Sequence, residues 1–259
     1  MDKIGIVGLG HVGAIMHELF PEAQVYDEPK KIGTREEINE CKVTFVCVPT
    51  PMAKDGSCDT EIVQDVLSWI ESDVIVLRST VPVGFTDKYR EMSGKKIIFQ
   101  PEYYGETQAH PFADPRNREW ITLGGDIKAS REVANVYKKV FTSSLRIHFT
   151  DAKTAELAKY MENSFLATKV TFCNQFYDIA EAMGVDYNLL RETWLMDPRI
   201  GCSHTFVYED NRGYGGSCLP KDLSAILYQA HQTGVEVPLL QAVSETNVLY
   251  KDIGDCETH

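Results

Sequence analysis

The sequence predicts an α/β fold: a doubly wound parallel sheet followed by an all-helical region with a long central helix. Short apolar runs alternate with amphipathic stretches over residues 1–150, which is typical of strands and crossover helices in a parallel sheet. A glycine-rich turn joins the first of these strands to the first helix. Between residues 152 and 183 the chain has neither proline nor glycine, so one long helix is expected there.

The first strand, turn and helix predict a dinucleotide site. An apolar run over residues 3–8 leads into Gly8-Leu9-Gly10-His11-Val12-Gly13 and an amphipathic stretch to residue 20. In such a Rossmann-type unit the glycines make the turn, admit a pyrophosphate and let the helix pack on the strand. The second strand ends at Asp27, about twenty residues beyond Gly8, where an acid would bind the ribose hydroxyls and repel a 2′-phosphate. We therefore expect NAD rather than NADP. The predicted cofactor contacts are Gly8, Gly10, His11, Val12, Gly13 and Asp27.

The other elements of residues 1–150 follow in order. Strands are predicted at 43–48, 73–77, 97–99, 120–123 and 146–149, and helices at 34–39, 59–70 and 128–140. Three motifs directly follow strands: Val48-Pro49-Thr50-Pro51, Ser79-Thr80-Val81-Pro82-Val83-Gly84, and Gln100-Pro101-Glu102-Tyr103-Tyr104-Gly105-Glu106. Ligands of open α/β sheets bind at the carboxyl ends of the strands. Further cofactor contacts are therefore expected at Pro49, Thr50, Ser79 and Thr80.

Residues 151–250 are predicted to form a separate helical domain. The long helix at 152–183 is followed by helices at 186–195, 220–232 and 238–250, and the polar tail 251–259 is expected to fray. Lys159 and Asn163 are four residues apart, so they lie on one face of the long helix.

Residues 213–222, Gly-Tyr-Gly-Gly-Ser-Cys-Leu-Pro-Lys-Asp, predict a reactive cysteine. The glycines allow positive φ angles and close approach to a ligand, and Pro220 fits the first turn of a helix. Cys218 is therefore expected at a helix N-terminus, where the helix dipole and Lys221 favour the nucleophilic thiolate. Asp222 could cap free amides or hold a water. The alternative is that Cys218 is a buried apolar residue, as free cysteines commonly are.

Composition narrows the functional classes. A chain of 259 residues can bury its own core, and a net charge of −12 argues against non-specific nucleic-acid binding. No apolar run approaches the roughly 20 residues of a membrane span. Seven cysteines without a CxxC pair indicate neither a disulfide framework nor a metal site. Because no basic and apolar leader precedes the first strand, a cytoplasmic protein with reduced thiols is expected.

In this order, the motifs resemble the UDP-glucose dehydrogenase family, which also includes UDP-N-acetylmannosamine and GDP-mannose dehydrogenases. The resemblance spans nearly the whole chain, and three further motifs carry it: Lys159-Tyr160-Met161-Glu162-Asn163, Asp197-Pro198-Arg199-Ile200-Gly201 and Gly215-Gly216-Ser217-Cys218-Leu219-Pro220-Lys221-Asp222. It implies that the primary alcohol of a UDP-sugar is oxidised to the carboxylate with two NAD. Cys218 would carry a thiohemiacetal and then a thioester.

The resemblance also implies roles for individual residues. Lys159 and Asn163 would stabilise the developing oxyanion, and Asp222 would orient or deprotonate water. Thr80 and Glu102 would hold the catalytic water and the substrate. The other implied substrate contacts are Tyr103, Glu106, Tyr214 and Gly215.

Arg199 resembles a family arginine that reaches a substrate in the partner subunit. It implies a homodimer through the long helix near 152–183, with an isologous interface.

The chain departs from the family pattern after Asn247, because the family normally continues with a second nucleotide-binding domain that grips UDP. A sugar nucleotide would then be held through Arg199, Arg212 and residues 202–211, or by a domain of another chain. Two further hypotheses stay open. A β-hydroxyacid dehydrogenase shares the glycine motif and the Lys-x-x-x-Asn pair but transfers one hydride and needs no cysteine. A non-catalytic nucleotide-binding or dimerisation module would turn over no sugar nucleotide.

Overall fold

The computed structural model describes residues 3–104, 114–141 and 145–256, with side chains up to Lys251. It confirms the predicted α/β fold. The chain divides into two compact units, which we call the N-terminal unit (residues 1–53 and 58–159) and the C-terminal unit (residues 54–57 and 160–259). Glu106, a predicted substrate contact, lies outside the described residues.

The N-terminal unit contains one seven-stranded sheet. Its strands are β1 (Ile4–Val7), β2 (Gln24–Tyr26), β3 (Val43–Val46), β4 (Val74–Leu77), β5 (Ile97–Phe99), β6 (Trp120–Gly124) and β7 (Arg146–Thr150). The strand order is β2-β1-β3-β4-β5-β6-β7. Every neighbouring pair is parallel except β5 and β6, which pair antiparallel at Phe99 and Gly124. The sheet is therefore mostly parallel, as the predicted doubly wound fold requires, with one antiparallel junction at which β6 runs against its neighbour β5.

Helices cover both faces of this sheet. They are α1 (His11–Leu19), α2 (Arg35–Asn39), α3 (Glu61–Trp69), α4 (Phe85–Ser93) and α5 (Ile127–Tyr137), with a short 3₁₀ turn at Pro115–Asn117. Alternate strand residues enter two separate cores. Ile6, Phe45 and Val76 belong to one, and Val7 and Val46 belong to the other. This alternation is what a sheet buried on both faces requires.

Helix α4 was not predicted from the sequence. Its segment is polar, and only Thr86 within it is buried, so the helix has little apolar periodicity to reveal it. Gly84 precedes it in a left-handed conformation with φ +92°.

The long helix α6 (Ala152–Met183) has the predicted bounds, and it is followed by α7 (Tyr187–Trp194), α8 (Leu219–Gln232) and α9 (Pro238–Cys256). Helix α9 extends beyond its predicted end, so the first part of the expected frayed tail is helical; the segment contains no proline that would stop it. No helix in the described ranges has an apolar stretch long enough to cross a membrane.

Candidate active site

The dinucleotide loop, residues 8–13, has the geometry that its glycines predict. Gly8 has φ +90°, and a Cβ atom on Gly13 would lie only 1.8 Å from the carbonyl oxygen of Gly8. A Cβ atom on Gly10 would meet nothing within 4 Å, so this position leaves open space for a ligand. Helix α1 begins at His11, and Gly10 at its N-cap has no side chain to occupy the first-turn amides. These features fit the binding of a pyrophosphate.

Asp27 lies against the dinucleotide loop. Its Oδ2 accepts a hydrogen bond from the Leu9 amide at 2.7 Å, and its Oδ1 accepts one from the Lys30 amide at 2.9 Å. The Lys30 ammonium also donates to the Leu9 carbonyl oxygen at 2.5 Å. The carboxylate at the end of β2 is thus fixed beside the glycine turn, where the Rossmann pattern places a ribose-binding acid.

The motifs after β3 and β4 are joined by one hydrogen bond. The Ser79 hydroxyl donates to the Val48 carbonyl oxygen at 2.6 Å. Ser79 and Thr50 are buried, whereas Pro49 is exposed and Thr80 is half-buried. The backbone carbonyl of Thr80 accepts from the Cys58 thiol at 3.4 Å. These predicted cofactor contacts therefore come from neighbouring strands at the same edge of the sheet.

Glu102 forms a buried ion pair with Arg78, a residue that sequence reasoning missed. The Glu102 Oε1 atom also accepts from the Tyr103 amide at 2.6 Å and the Tyr104 amide at 2.5 Å. Arg78 is 2% exposed, and its guanidinium donates to the Tyr137 hydroxyl at 3.0 Å. The signal in the sequence was an arginine directly following an apolar strand. The ion pair fixes the Glu102 carboxylate, and its role toward water and substrate stays a prediction.

Lys159 is buried, and its ammonium lies over an aromatic ring. The Nζ atom is 4.9 Å from the ring centroid of Tyr103, which is a cation–π geometry. The centroid of the Tyr103 ring lies 5.0 Å from that of the Trp120 ring. The Arg118 guanidinium carbon lies 5.7 Å from the centroid of the Tyr103 ring. Tyr103 is a predicted substrate contact. In the structure its ring also contacts Lys159, a predicted catalytic residue.

Glu156, which the sequence did not single out, caps helix α4. Its carboxylate accepts from the Gly84 amide at 2.6 Å and the Thr86 amide at 3.0 Å. Burial raises the pKa of Glu156. Glu156 lies about one helical turn before Lys159 on α6. Its bonds therefore tie this part of α6 to the end of the Ser79-to-Gly84 motif.

In the C-terminal unit, Cys218 is the N-cap residue of α8, as predicted. Pro220 lies in the first turn, and the Cys218 carbonyl oxygen accepts from the Asp222 amide at 2.9 Å. Cys218 is exposed, so the alternative of a buried apolar cysteine is wrong. Cys47 is different, because burial raises the pKa of its thiol to about 12. Among the described cysteines, Cys202 is the other exposed thiol.

Asp222 joins two polar groups in the interior of the C-terminal unit. Its Oδ2 accepts from the Asn163 side-chain amide at 2.6 Å, and its Oδ1 pairs with the Lys221 ammonium at 2.5 Å. The carboxylate is 1% exposed. The carboxylate thus bonds to these two side chains, whereas the sequence suggested free helix amides.

The glycines before Cys218 only partly match their predicted use. Gly213 has φ +71°, and a Cβ atom there would lie 2.5 Å from the Asn247 Oδ1 atom of α9. At Gly213 the missing side chain therefore makes room for Asn247 and not for a ligand. Tyr214 is buried, and its ring packs with Ala167, Leu223 and Val243. Gly215 is exposed.

The two arginines suggested for nucleotide binding differ. Arg199 is exposed, and its guanidinium pairs with Asp197 at 2.5 Å. Arg212 donates to the Asn174 Oδ1 atom at 2.7 Å and to Asp178 at 2.6 Å, and it lies between two tyrosine rings. The Nε atom and one terminal nitrogen of Arg212 donate inside the unit, and its contact with a sugar nucleotide stays a prediction.

Comparison with known proteins identifies the family. The model described as UDP-glucose/GDP-mannose dehydrogenase family, NAD binding domain, matches residues 30–142, and the model of that family's central domain matches residues 153–248. UDP-glucose 6-dehydrogenase of Pseudomonas aeruginosa is 31% identical over 235 residues, which are 84% of this chain and 51% of the relative. GDP-mannose 6-dehydrogenase of Azotobacter vinelandii is 31% identical over 233 residues, which are 82% of this chain and 52% of the relative.

A solved structure agrees with this result. A UDP-glucose dehydrogenase from Pyrobaculum islandicum matches with a TM-score of 0.81 and 26% identity, over 96% of this chain and 68% of that chain. The chain spans about half the length of the curated relatives it matches. The cofactor implied by the N-terminal match is NAD. With both of its units matched, the chain belongs to the UDP-glucose/GDP-mannose dehydrogenase family.

Proposed function

We propose that the chain oxidises the primary alcohol of a UDP-sugar to the carboxylate, as a UDP-glucose 6-dehydrogenase does. The observation that carries this proposal is an exposed cysteine, Cys218, at the N-terminus of α8 in a chain of this family. GDP-mannose is an alternative substrate, since the relatives include a GDP-mannose 6-dehydrogenase, and UDP-N-acetylmannosamine is the other alternative that the family resemblance implies.

The dinucleotide loop and Asp27 would hold the cofactor. NAD, when bound, supplies the hydride acceptor for both oxidations. The amides at the start of α1 would bind the pyrophosphate, and the Asp27 carboxylate would accept from ribose hydroxyls. Ser79 and Thr50 lie at the same sheet edge and would shape the cofactor site.

Cys218 is what allows oxidation beyond the aldehyde. After the alcohol has lost a hydride and a proton, the Cys218 sulfur adds to the aldehyde carbon and forms a thiohemiacetal. Loss of a second hydride from that carbon, together with the proton of its hydroxyl group, gives a thioester on Cys218. Water then adds to the thioester carbon, the C–S bond breaks, and the thiol and the carboxylate are released.

The polar side chains near these steps have distinct tasks. Lys159 and Asn163 would donate to the oxyanion that develops on the substrate carbon. Asp222 accepts from Asn163 at 2.6 Å, so it fixes which way the Asn163 amide points and would orient the attacking water. Thr80 and Glu102 would hold that water and the sugar.

A homodimer through α6 belongs to the same proposal. Exposed apolar side chains recur along this helix at spacings of three, four and seven residues: Met161, Phe165, Phe172, Phe176, Ile179 and Met183. A stripe of this length on a monomer is typical of a surface that a second copy covers. Phe165→Asp should shift the protein from dimer to monomer in sedimentation velocity, and an unchanged dimer would contradict the α6 interface.

The test is a panel of sugar nucleotides with NADH formation and carboxylate product both measured. UDP-glucose, UDP-N-acetylmannosamine and GDP-mannose are compared with the wild-type chain and with Cys218→Ser. We expect turnover of a UDP-sugar by the wild type and loss of the carboxylate product in Cys218→Ser, by roughly a thousandfold or more.

Cys41→Ser is the matched control, because Cys41 belongs to none of the predicted cofactor or substrate contacts and a serine hydroxyl can still donate to the Glu37 carbonyl oxygen, so full activity should be kept. If neither the carboxylate nor NADH forms from any of the three nucleotides, the proposal fails. Full carboxylate formation by Cys218→Ser would also overturn it.

A further inference from the structure

Helix α9 carries a side chain that holds the backbone directly before the catalytic cysteine. The Asn247 Oδ1 atom accepts from the Tyr214 amide at 2.7 Å, and its Nδ2 atom donates to the Tyr214 carbonyl at 3.0 Å. One buried side chain thus satisfies both backbone groups of one residue. We call residues 212–218 the cysteine loop.

Helix α6 holds the same loop from a second direction. The Asn174 Oδ1 atom accepts from the Gly213 amide at 3.1 Å and from the Arg212 Nε atom at 2.7 Å. Arg212 also donates to the Asn174 carbonyl oxygen at 2.9 Å and to Asp178 at 2.6 Å. The Tyr250 hydroxyl donates to Asp178 at 3.0 Å, so the contacts from the two helices are linked.

The shape of the loop matches these contacts. Gly213 has a left-handed φ of +71°, and a Cβ atom there would come within 2.5 Å of the Asn247 Oδ1 atom and 3.1 Å of the Tyr250 Cβ atom. Only glycine meets both requirements. Asn174 and Asn247 are 1% and 8% exposed, so their side chains are committed to the interior.

We propose that Asn247 and Asn174 are positioning residues for Cys218: they fix the cysteine loop so that the sulfur is held where the reaction needs it. Three residues separate Tyr214 from Cys218, and Cys218 is the N-cap residue of α8. Because a misplacement of about 1 Å can cost roughly a hundredfold in rate, freeing this loop should lower kcat. The proposal rests on the proposed role of Cys218.

Asn247→Ala and Asn174→Ala test it, with Ala180→Gly as the control. Ala180 is buried on α6 beside Cys173 and Tyr187, so its replacement destabilises the same unit without touching the cysteine loop. Two measurements are made on each variant: amide hydrogen exchange of peptides covering the cysteine loop, and the kinetic constants with a sugar nucleotide and NAD.

We expect exchange of the Tyr214 amide to rise about tenfold or more in Asn247→Ala, and that of the Gly213 amide to rise likewise in Asn174→Ala. The kcat should fall about ten- to a hundredfold in both, with the KM for NAD unchanged, because the cofactor contacts lie in the N-terminal unit. Ala180→Gly should keep both the protection and the kcat.

The proposal is overturned if the loop amides stay protected in both asparagine variants, or if their kcat equals that of Ala180→Gly. If Asn247→Ala does not fold, the Asn174→Ala variant alone tests the proposal, because it keeps the bonds between Asn247 of α9 and Tyr214. An inactive wild type would refute the proposed function, whereas the exchange measurement would still report whether the two asparagines hold the loop.

Discussion

The dinucleotide loop and the cysteine loop are both glycine-rich segments that precede a helix, but they are supported differently. In the dinucleotide loop the space that a Cβ atom on Gly13 would need is taken by the carbonyl oxygen of Gly8, within the same loop. In the cysteine loop Gly213 lies against Asn247, and the bond from Asn247 to Tyr214 crosses 33 residues of sequence. The first loop is therefore shaped by its own glycines and by bonds from Asp27 and Lys30 just after the next strand, and the second depends on a distant helix.

The largest effect is expected where a glycine contacts backbone. In Gly13→Ala the new Cβ atom meets the Gly8 carbonyl, which cannot move far, so we expect a loss of about 4 kcal/mol or more in unfolding free energy and of NAD binding. Gly10→Ala, with open space around its Cβ atom, should keep the stability and weaken only NAD binding. Chemical denaturation and NAD titration measure both. Equal losses of unfolding free energy in Gly13→Ala and Gly10→Ala would contradict the close approach of Gly13 to the Gly8 carbonyl.

The second prediction concerns Gly213→Ala. The positive φ and the contact with Asn247 should together cost about 2–3 kcal/mol in unfolding free energy. NAD affinity should be unchanged, since the cofactor loop belongs to the N-terminal unit and Gly213 to the C-terminal unit. If a titration finds weaker NAD binding instead, the two loops are not independent in the way described.

Glu156→Gln tests a third loop with distant support, the Ser79-to-Gly84 motif. A glutamine can accept only one of the two amide hydrogen bonds from Gly84 and Thr86, so the expected loss is about 1–3 kcal/mol. Because burial raises the pKa of Glu156, its stabilising contribution is fully present below the unfolded pKa and falls as pH rises through the folded pKa. The deficit of Glu156→Gln should thus be larger near pH 4.5 than near neutrality in thermal melts. A deficit that grows with pH would contradict this assignment.

Tyr103→Leu should act on turnover more than on stability. Removing the ring face beneath the Lys159 ammonium should lower kcat about tenfold. Tyr103→Phe keeps the ring and should keep nearly all of the activity. Steady-state kinetics decide, and equal losses in both variants would show that the hydroxyl, not the ring face, is what matters.

The smallest structural effect is expected for Arg199→Ala. The Arg199 side chain is exposed and pairs with Asp197 two residues away, so the melting temperature should not change. If Arg199 reaches a substrate in the partner subunit, the KM for the sugar nucleotide should rise. An unchanged KM would remove Arg199 from the substrate site.

Much of the fold followed from local patterns. The bounds of α6, the glycine turn before α1 and the position of Cys218 at the start of α8 were predicted because each depends on residues close in sequence. Helix α4 was missed because its cap, Glu156, is contributed by a different helix. The contacts of Arg78 with Glu102 and of Asn247 with Tyr214 were missed for the same reason. In each case the sequence around one residue does not indicate which distant residue it contacts.

The antiparallel pairing of β5 and β6 was missed for a related reason. An apolar run in the sequence predicts that a strand is present but not its direction in the sheet. The direction depends on where the connecting segment returns to the sheet.

The most direct test of the central claim counts NADH molecules formed per sugar nucleotide consumed in a reaction run to completion. Chemistry through a thioester on Cys218 predicts two NADH and one carboxylate for each UDP-sugar. One NADH per substrate, with an aldehyde or ketone as the product, would contradict a four-electron oxidation and with it the assigned role of Cys218.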